Sequence, residues 1–181
     1  MSQAGELGNM WLETQRLVLR ELRKEDVQDL APILADPKVM TFSPTGVVSI
    51  SQTQEKVESF IACYREFGFG KWAVLLKDHQ KLIGYYGLAV KQIDGNNEKE
   101  LGYRLDSELW GQGLATEGAS AAIQYGFEQF KLPYILGIVE RENTASIRVL
   151  EKIGMRYKRT TIFHEVEMDV YRVDAPDFIL D

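Results

Sequence analysis

Leu109-Trp110-Gly111-Gln112-Gly113-Leu114-Ala115-Thr116 stands where an extended segment gives way to a long, apolar, alanine-rich run. Glycines at 111 and 113 let the backbone turn tightly and come close to a ligand. The helix that follows opens on unpaired N–H groups and the positive end of its dipole, so the stretch reads as an anion cradle suited to phosphate. The same spelling also fits a plain tight turn leading into a helix. Two familiar phosphate motifs do not fit: a dinucleotide fingerprint needs glycine or alanine where Thr116 stands, and a P-loop needs a Gly-Lys-Ser/Thr ending that is absent.

Outward from the cradle, strand and helix patterns are mixed. Arg16 to Leu22 begins with alternating apolar and charged residues and predicts a strand. Val27, Leu30, Ala31 and Leu34 then recur at helical spacing, with Pro32 making that helix irregular. Pro37, Pro44 and Gly46 mark a loop, and Val57, Phe60, Ile61 and Tyr64 form the stripe of a second helix. Strands are predicted over 72–76 and 82–90 around a polar turn at 77–80; the reversal Asp94-Gly95-Asn96-Asn97 follows, then a strand from Glu100 to Leu105. After the cradle come a helix to Phe130, a short strand from Ile135 to Val139, a helix from Asn143 to Ile153, and two final strands, 155–161 and 166–173, placed to form a hairpin. The order predicts an α/β (α+β) fold, a sheet with helices on both faces, in one domain over residues 11–181 behind a flexible segment at 1–10.

With 181 residues, 45% of them hydrophobic and 10% aromatic, the chain has material for one sizeable core. A formal net charge of -6 and a pI of about 5.1 leave no global basic field for DNA or RNA, so nucleic acid is not an expected partner. Nowhere do about 18 apolar residues run together, and Met1 to Met10 lacks a basic segment followed by an apolar one; neither a membrane span nor a secretory leader is expected. Cys63, the only cysteine, excludes an internal disulfide and fits a reducing, cytoplasmic setting. One cysteine and two histidines give no ligand cluster at zinc spacing, so no metal is expected. The absence of a Gly-x-Ser-x-Gly elbow disfavours a serine hydrolase.

Gly113 and Ala115 fit the Gln/Arg-x-x-Gly-x-Gly/Ala pyrophosphate loop of the GNAT superfamily of N-acetyltransferases, which bind acetyl-coenzyme A, and the chain resembles that superfamily in several further blocks. Leu101-Gly102-Tyr103-Arg104-Leu105-Asp106 leading into Trp110 through Glu117 is similar to the branch containing ribosomal-protein N-terminal (alanine/serine) acetyltransferases. Asn143-x-x-Ser146 with Glu151-Lys152-Ile153-Gly154-Met155 resembles the family's next block, and Thr14-x-Arg16-Leu17-x-Leu19-Arg20 with Asp36-Pro37-Lys38-Val39 resembles its N-terminal spelling. Trp110 departs from the Gln/Arg position of the general loop but is familiar in this branch. Leu150 stands where many relatives carry a tyrosine that protonates the leaving thiolate.

The resemblance implies a mixed, mostly antiparallel, twisted sheet whose central strand pair splays, the strand ending near Leu105 parting from the one beginning near Ile135. The pantetheine arm is then expected in the gap, on the backbone of Tyr103, Arg104 and Leu105. The pyrophosphate is expected on the loop of Gly111, Gln112 and Gly113 and the amides of Leu114, Ala115 and Thr116. Asn143 is expected to orient the pantetheine side, although helix capping alone also explains it. Arg148 and Lys152, one turn apart, suit either the adenosine 3′-phosphate or a solvated face.

Acetyl transfer to an amine needs a neutral nitrogen, a hydrogen-bonded carbonyl and a departing thiolate. Glu100 is the first candidate base, against the alternative of an exposed strand glutamate beside Lys99. Ser146 is the candidate acid or thiolate hydrogen-bond donor, against local bonding to its own helical turn. Glu165, with His164 and Glu167, suits an amine pocket or a solvated edge. Reference pKa values put deprotonation at pH 7 at about 4.6 kcal/mol for lysine and about 1.4 kcal/mol for an α-amino group, so a missing tyrosine favours an α-amine. The expected activity is acetyl-coenzyme A-dependent acetylation of a primary amine, either a protein or peptide N-terminus or a small amino compound, by direct transfer. A catalytically reduced acyl-coenzyme A-binding module acting through a partner is the alternative, and monomer and homodimer are both open.

Overall fold

The structure is a computed structural model describing residues 11–175; the flexible segment expected at 1–10 lies outside the described residues. The chain runs β1 (Trp11–Glu13), β2 (Leu17–Glu21), α1 (Val27–Leu34), α2 (Ile50–Phe67), β3 (Lys71–Leu76), β4 (Leu82–Ile93) and β5 (Asn96–Leu105). It continues through α3 (Leu114–Phe130), β6 (Tyr134–Val139), α4 (Thr144–Lys152), β7 (Arg156–Phe163) and β8 (Val166–Asp174). The strands form one sheet in the order β1-β2-β3-β4-β5-β6-β8-β7, and every neighbouring pair is antiparallel except β5 and β6.

The period-2 alternation of the strands sorts side chains onto two faces. On β2, Leu17 and Leu19 join one core cluster while Val18, between them, joins the other. The first cluster packs under α3 and α4 through Ala122, Ile123 and Leu150, and the second under α1 and α2 through Leu30, Leu34 and Val57. The small residues of α3 bring it close to the sheet: a Cβ on Gly118 would stand 2.8 Å from the ring of Tyr86. The second helix is fixed at its start by a capping box between Ser49 and Gln52 and ended by Gly68 at φ 77°.

β4 and β5 form the central hairpin, in register from Gly84 and Leu105 to Ile93 and Asn96. Its turn is Asp94-Gly95, both at positive φ, which suits the right-handed twist of the flanking strands. β5 therefore starts at Asn96, earlier than the expected Glu100, and Asn96 and Asn97 belong to the ladder rather than to the turn. β1 was not expected at all, because three residues are too short to show a period. The β5–β6 ladder holds a single pair, Glu100 with Leu136, whereas β4 stays paired with β5 to Leu105. Beyond Glu100 the two strands part, as the resemblance implied, and the gap opens toward the first turn of α3.

Candidate active site

At the mouth of the gap, Gly111 and Gly113 hold φ of 77° and 81°, a region where a side chain is strained. Gly113 is the N-cap of α3 and makes no side-chain capping bond, so the amides of Leu114, Ala115 and Thr116 carry no side-chain cap. Glu117, in that first turn, would oppose an anion, but its charge is engaged. Its Oε1 accepts from Thr14 Oγ1 at 2.6 Å and from the Arg16 amide at 2.7 Å, and its Oε2 accepts from Arg16 Nε at 2.8 Å. Burial raises the Glu117 pKa, yet these bonds and the Arg16 charge hold it below the usual carboxylate range. Arg16 also donates to the Gln112 carbonyl at 2.8 Å, so one guanidinium braces both the loop and the helix start. The Trp110 indole donates to the Leu105 carbonyl at 3.0 Å and pins the loop to the end of β5. Tryptophan at the departing position thus has a structural task.

A chain of aromatic contacts crosses the α3 face of the gap. Tyr86 donates from its hydroxyl to the Ala115 carbonyl at 2.6 Å, and its ring stacks on Tyr103 with centroids 4.7 Å apart. The Tyr103 hydroxyl donates to Ser146 Oγ at 3.2 Å, and burial, partly offset by that bond, pushes the phenol pKa up. The Ser146 amide in turn donates to Asn143 Oδ1 at 3.2 Å. Asn143 is therefore the N-cap of α4, and its Nδ2 has no protein partner among the described residues. Leu150 is buried at the Gly137 backbone, so α4 presents apolar packing where a relative's tyrosine would stand. The sequence reading named Tyr103 for its backbone and missed its hydroxyl, the one that meets Ser146; only the docking of α4 brings the two together.

Glu100 lies on the opposite face, at the vertex where β5 and β6 part, and is 8% exposed. The alternative of an exposed glutamate beside Lys99 does not hold: its partner is Lys71 of β3, with Nζ 3.6 Å from Glu100 Oε2. Lys71 reaches it by passing over two glycine positions, donating to the Gly87 carbonyl at 3.1 Å and lying over Gly102. Burial lowers the Lys71 pKa to about 8 against the pull of Glu100 in the other direction. The other candidates are apart from this centre. Arg148 and Lys152 are exposed and make no ion pair among the described residues. His164 and Glu165 form the positive-φ turn at the tip of the β7–β8 hairpin, and Glu167 pairs with Arg141 at 3.6 Å.

A twisted, mostly antiparallel sheet that opens between its one parallel pair onto an uncapped, glycine-led helix defines an acyltransferase class. The sequence matches the acetyltransferase (GNAT) domain family over residues 16–156, and the chain belongs to that family. It is 32% identical over 147 residues to YnaD, an uncharacterized N-acetyltransferase of Bacillus subtilis (strain 168), covering 81% of this chain and 83% of YnaD. A GNAT-family acetyltransferase structure from Bacillus anthracis superposes with a TM-score of 0.80 at 26% identity, over 92% of this chain and 99% of that one. RimL, a ribosomal-protein alpha-N acetyltransferase solved with coenzyme A, shares the fold at 17% identity and a TM-score of 0.77, over 91% and 98% of the chains. The protein is an acetyltransferase of this family. Among the described residues no helix is long and apolar enough to cross a membrane.

Proposed function

We propose that this chain moves an acetyl group from acetyl-coenzyme A directly to a primary amine at the vertex of the β5–β6 gap. One observation carries the reading: the two strands part immediately beyond Glu100, so a buried carboxylate, the Tyr103 hydroxyl and the uncapped start of α3 all border the same opening. The residues fit the cofactor. The amides from Gln112 to Thr116 offer local positive potential to a pyrophosphate without requiring net positive charge in a chain of charge -6. Beyond Glu100 the edge of β5 is not paired with β6, and the backbone of Tyr103 and Leu105 faces it with carbonyls that already accept from Arg104 and Trp110, leaving their amides for an amide-bearing arm and Asn143 Nδ2 as a further donor.

When bound, acetyl-coenzyme A supplies an activated thioester, and this chain's side chains manage the protons. Glu100 takes the proton of the incoming ammonium, directly or through a water, and Lys71 compensates the carboxylate in its dry surroundings. On the other face Tyr103 holds a proton on its hydroxyl, with Ser146 as its partner. That phenol fills the role Leu150 leaves empty, so the noncatalytic module is not the reading the site favours. A protein or peptide N-terminus is the easier acceptor, its α-amine costing about 3 kcal/mol less to deprotonate at neutral pH than lysine; small amino compounds are the other acceptor of this reading. The test is thiol release with acetyl-coenzyme A and a panel of amines and peptides, with products weighed by mass spectrometry. One acetylated amine per thiol is expected. Cofactor binding without thiol release above background would instead support the binding module.

A further inference from the structure

Glu100 stands in a basic neighbourhood. Glu100, Gly102 and Arg104 alternate onto the α1–α2 face of β5, and Lys71 Nζ would stand 2.5 Å from a Cβ on Gly102, between the other two. Lys91 follows on the same face of β4, and Glu98, opposite it in register, accepts the Tyr134 hydroxyl at 2.9 Å. From above comes Lys56, which shares the inward stripe of α2 with Thr53, Val57 and Phe60. The Phe60 ring lies 5.2 Å from that of Tyr85, the residue paired with Arg104 in the β4–β5 ladder. The four cations act on one another: Lys91 and Arg104 disfavour the charged forms of both Lys56 and Lys71, after burial has done so.

Only Lys71 of the four has a carboxylate partner. Lys56, Lys91 and Arg104 make no ion pair among the described residues, although the chain carries an excess of acid. Arg104 donates to the Tyr103 and Phe42 carbonyls, but its Nε is buried without any partner. Like charges gathered in a partly buried place destabilise the empty protein unless an anion joins them. They also lower the pKa of an ammonium placed among them, which favours the neutral nitrogen that attack requires.

Resting on the amine-acetylation reading, we propose that Lys56, Lys91 and Arg104 form an anion subsite beside Glu100, and that the acceptor is an amine whose skeleton also bears a carboxylate or a phosphate. The amine points to Glu100 while the anion engages the cations, so the pocket selects zwitterionic acceptors over simple cationic amines.

The experiment titrates matched pairs into the full chain with coenzyme A bound: amino acids against their amides, and aminoalkyl phosphates against the corresponding amino alcohols. The anionic member is expected to bind about tenfold tighter or better, weakening with added salt and losing its advantage in Lys56→Glu while coenzyme A affinity is kept. The better of the carboxylate and phosphate arms identifies the anion. Equal binding within pairs, preference for the neutral member, or no binding of either overturns the subsite. Thiol release, followed separately, judges the transfer reading: preference without turnover sinks that reading and leaves the subsite standing, whereas turnover on neutral and anionic amines alike does the reverse.

Discussion

Lys71 shows how one side chain can set the chemistry of another. An ammonium buried on β3 is tolerated because Glu100 faces it, and burial lowers its pKa from the ordinary lysine value to about 8. Between about pH 8 and pH 10.5 the unfolded chain therefore holds a proton at Lys71 that the folded chain has released. Stability contributed by this group rises with pH across that window. Urea midpoints measured from pH 8 to pH 10.5 should climb less in Lys71→Met than in the parent protein; parallel curves would show that Lys71 titrates normally. Glu100→Gln should lower kcat/KM about a hundredfold or more, as loss of a general base does, with coenzyme A affinity retained. The deficit should shrink as pH approaches the amine's own pKa, where the nucleophile no longer needs a base; a constant deficit across pH would remove Glu100 from proton transfer. Glu100 could be proposed from the sequence because it lies on the strand that resembles the family's cofactor strand. Lys71 was not, since the pairing crosses β4 and leaves no local signal. The Tyr103 hydroxyl was hidden for the same reason.

Elements were more legible than partners. The α3 helix was readable from its glycine entry and alanine-rich run and α2 from its stripe, and two final strands were placed to form the last hairpin. Their bounds differ from the expected ones mainly where turn chemistry decided, as at Asp94-Gly95. The brace of Thr14 and Arg16 on Glu117 joins positions about a hundred residues apart, and only the fold reveals it. The N-terminus of α3 depends on backbone that a side chain would distort. Gly113→Val should impose strain on the order of 1–2 kcal/mol at φ 81° and weaken coenzyme A binding by about tenfold or more in a calorimetric titration. Unchanged affinity in a folded variant would place the phosphates elsewhere.

At the scale of the whole molecule, the β5–β6 ladder joins the two halves of the sheet through one residue pair, and a ligand in the opening would bridge them. A ligand that binds only the folded state at a hundred times its Kd adds about 2.7 kcal/mol, which for a chain of this length raises Tm by about 5–11 °C. Acetyl-coenzyme A should produce such a shift, and adenosine alone, lacking the pyrophosphate and the pantetheine arm, should produce little. The fold class and the opening were legible because several weak motifs agreed in order; the proposed acceptor subsite was not, because it draws residues from α2, β3, β4 and β5. The most direct test of the account is a crystal structure of the chain with coenzyme A. The account predicts the pyrophosphate on the amides from Gln112 to Thr116 and the pantetheine arm between β5 and β6, its thiol end toward Glu100 and Tyr103. Coenzyme A bound outside that opening would contradict it.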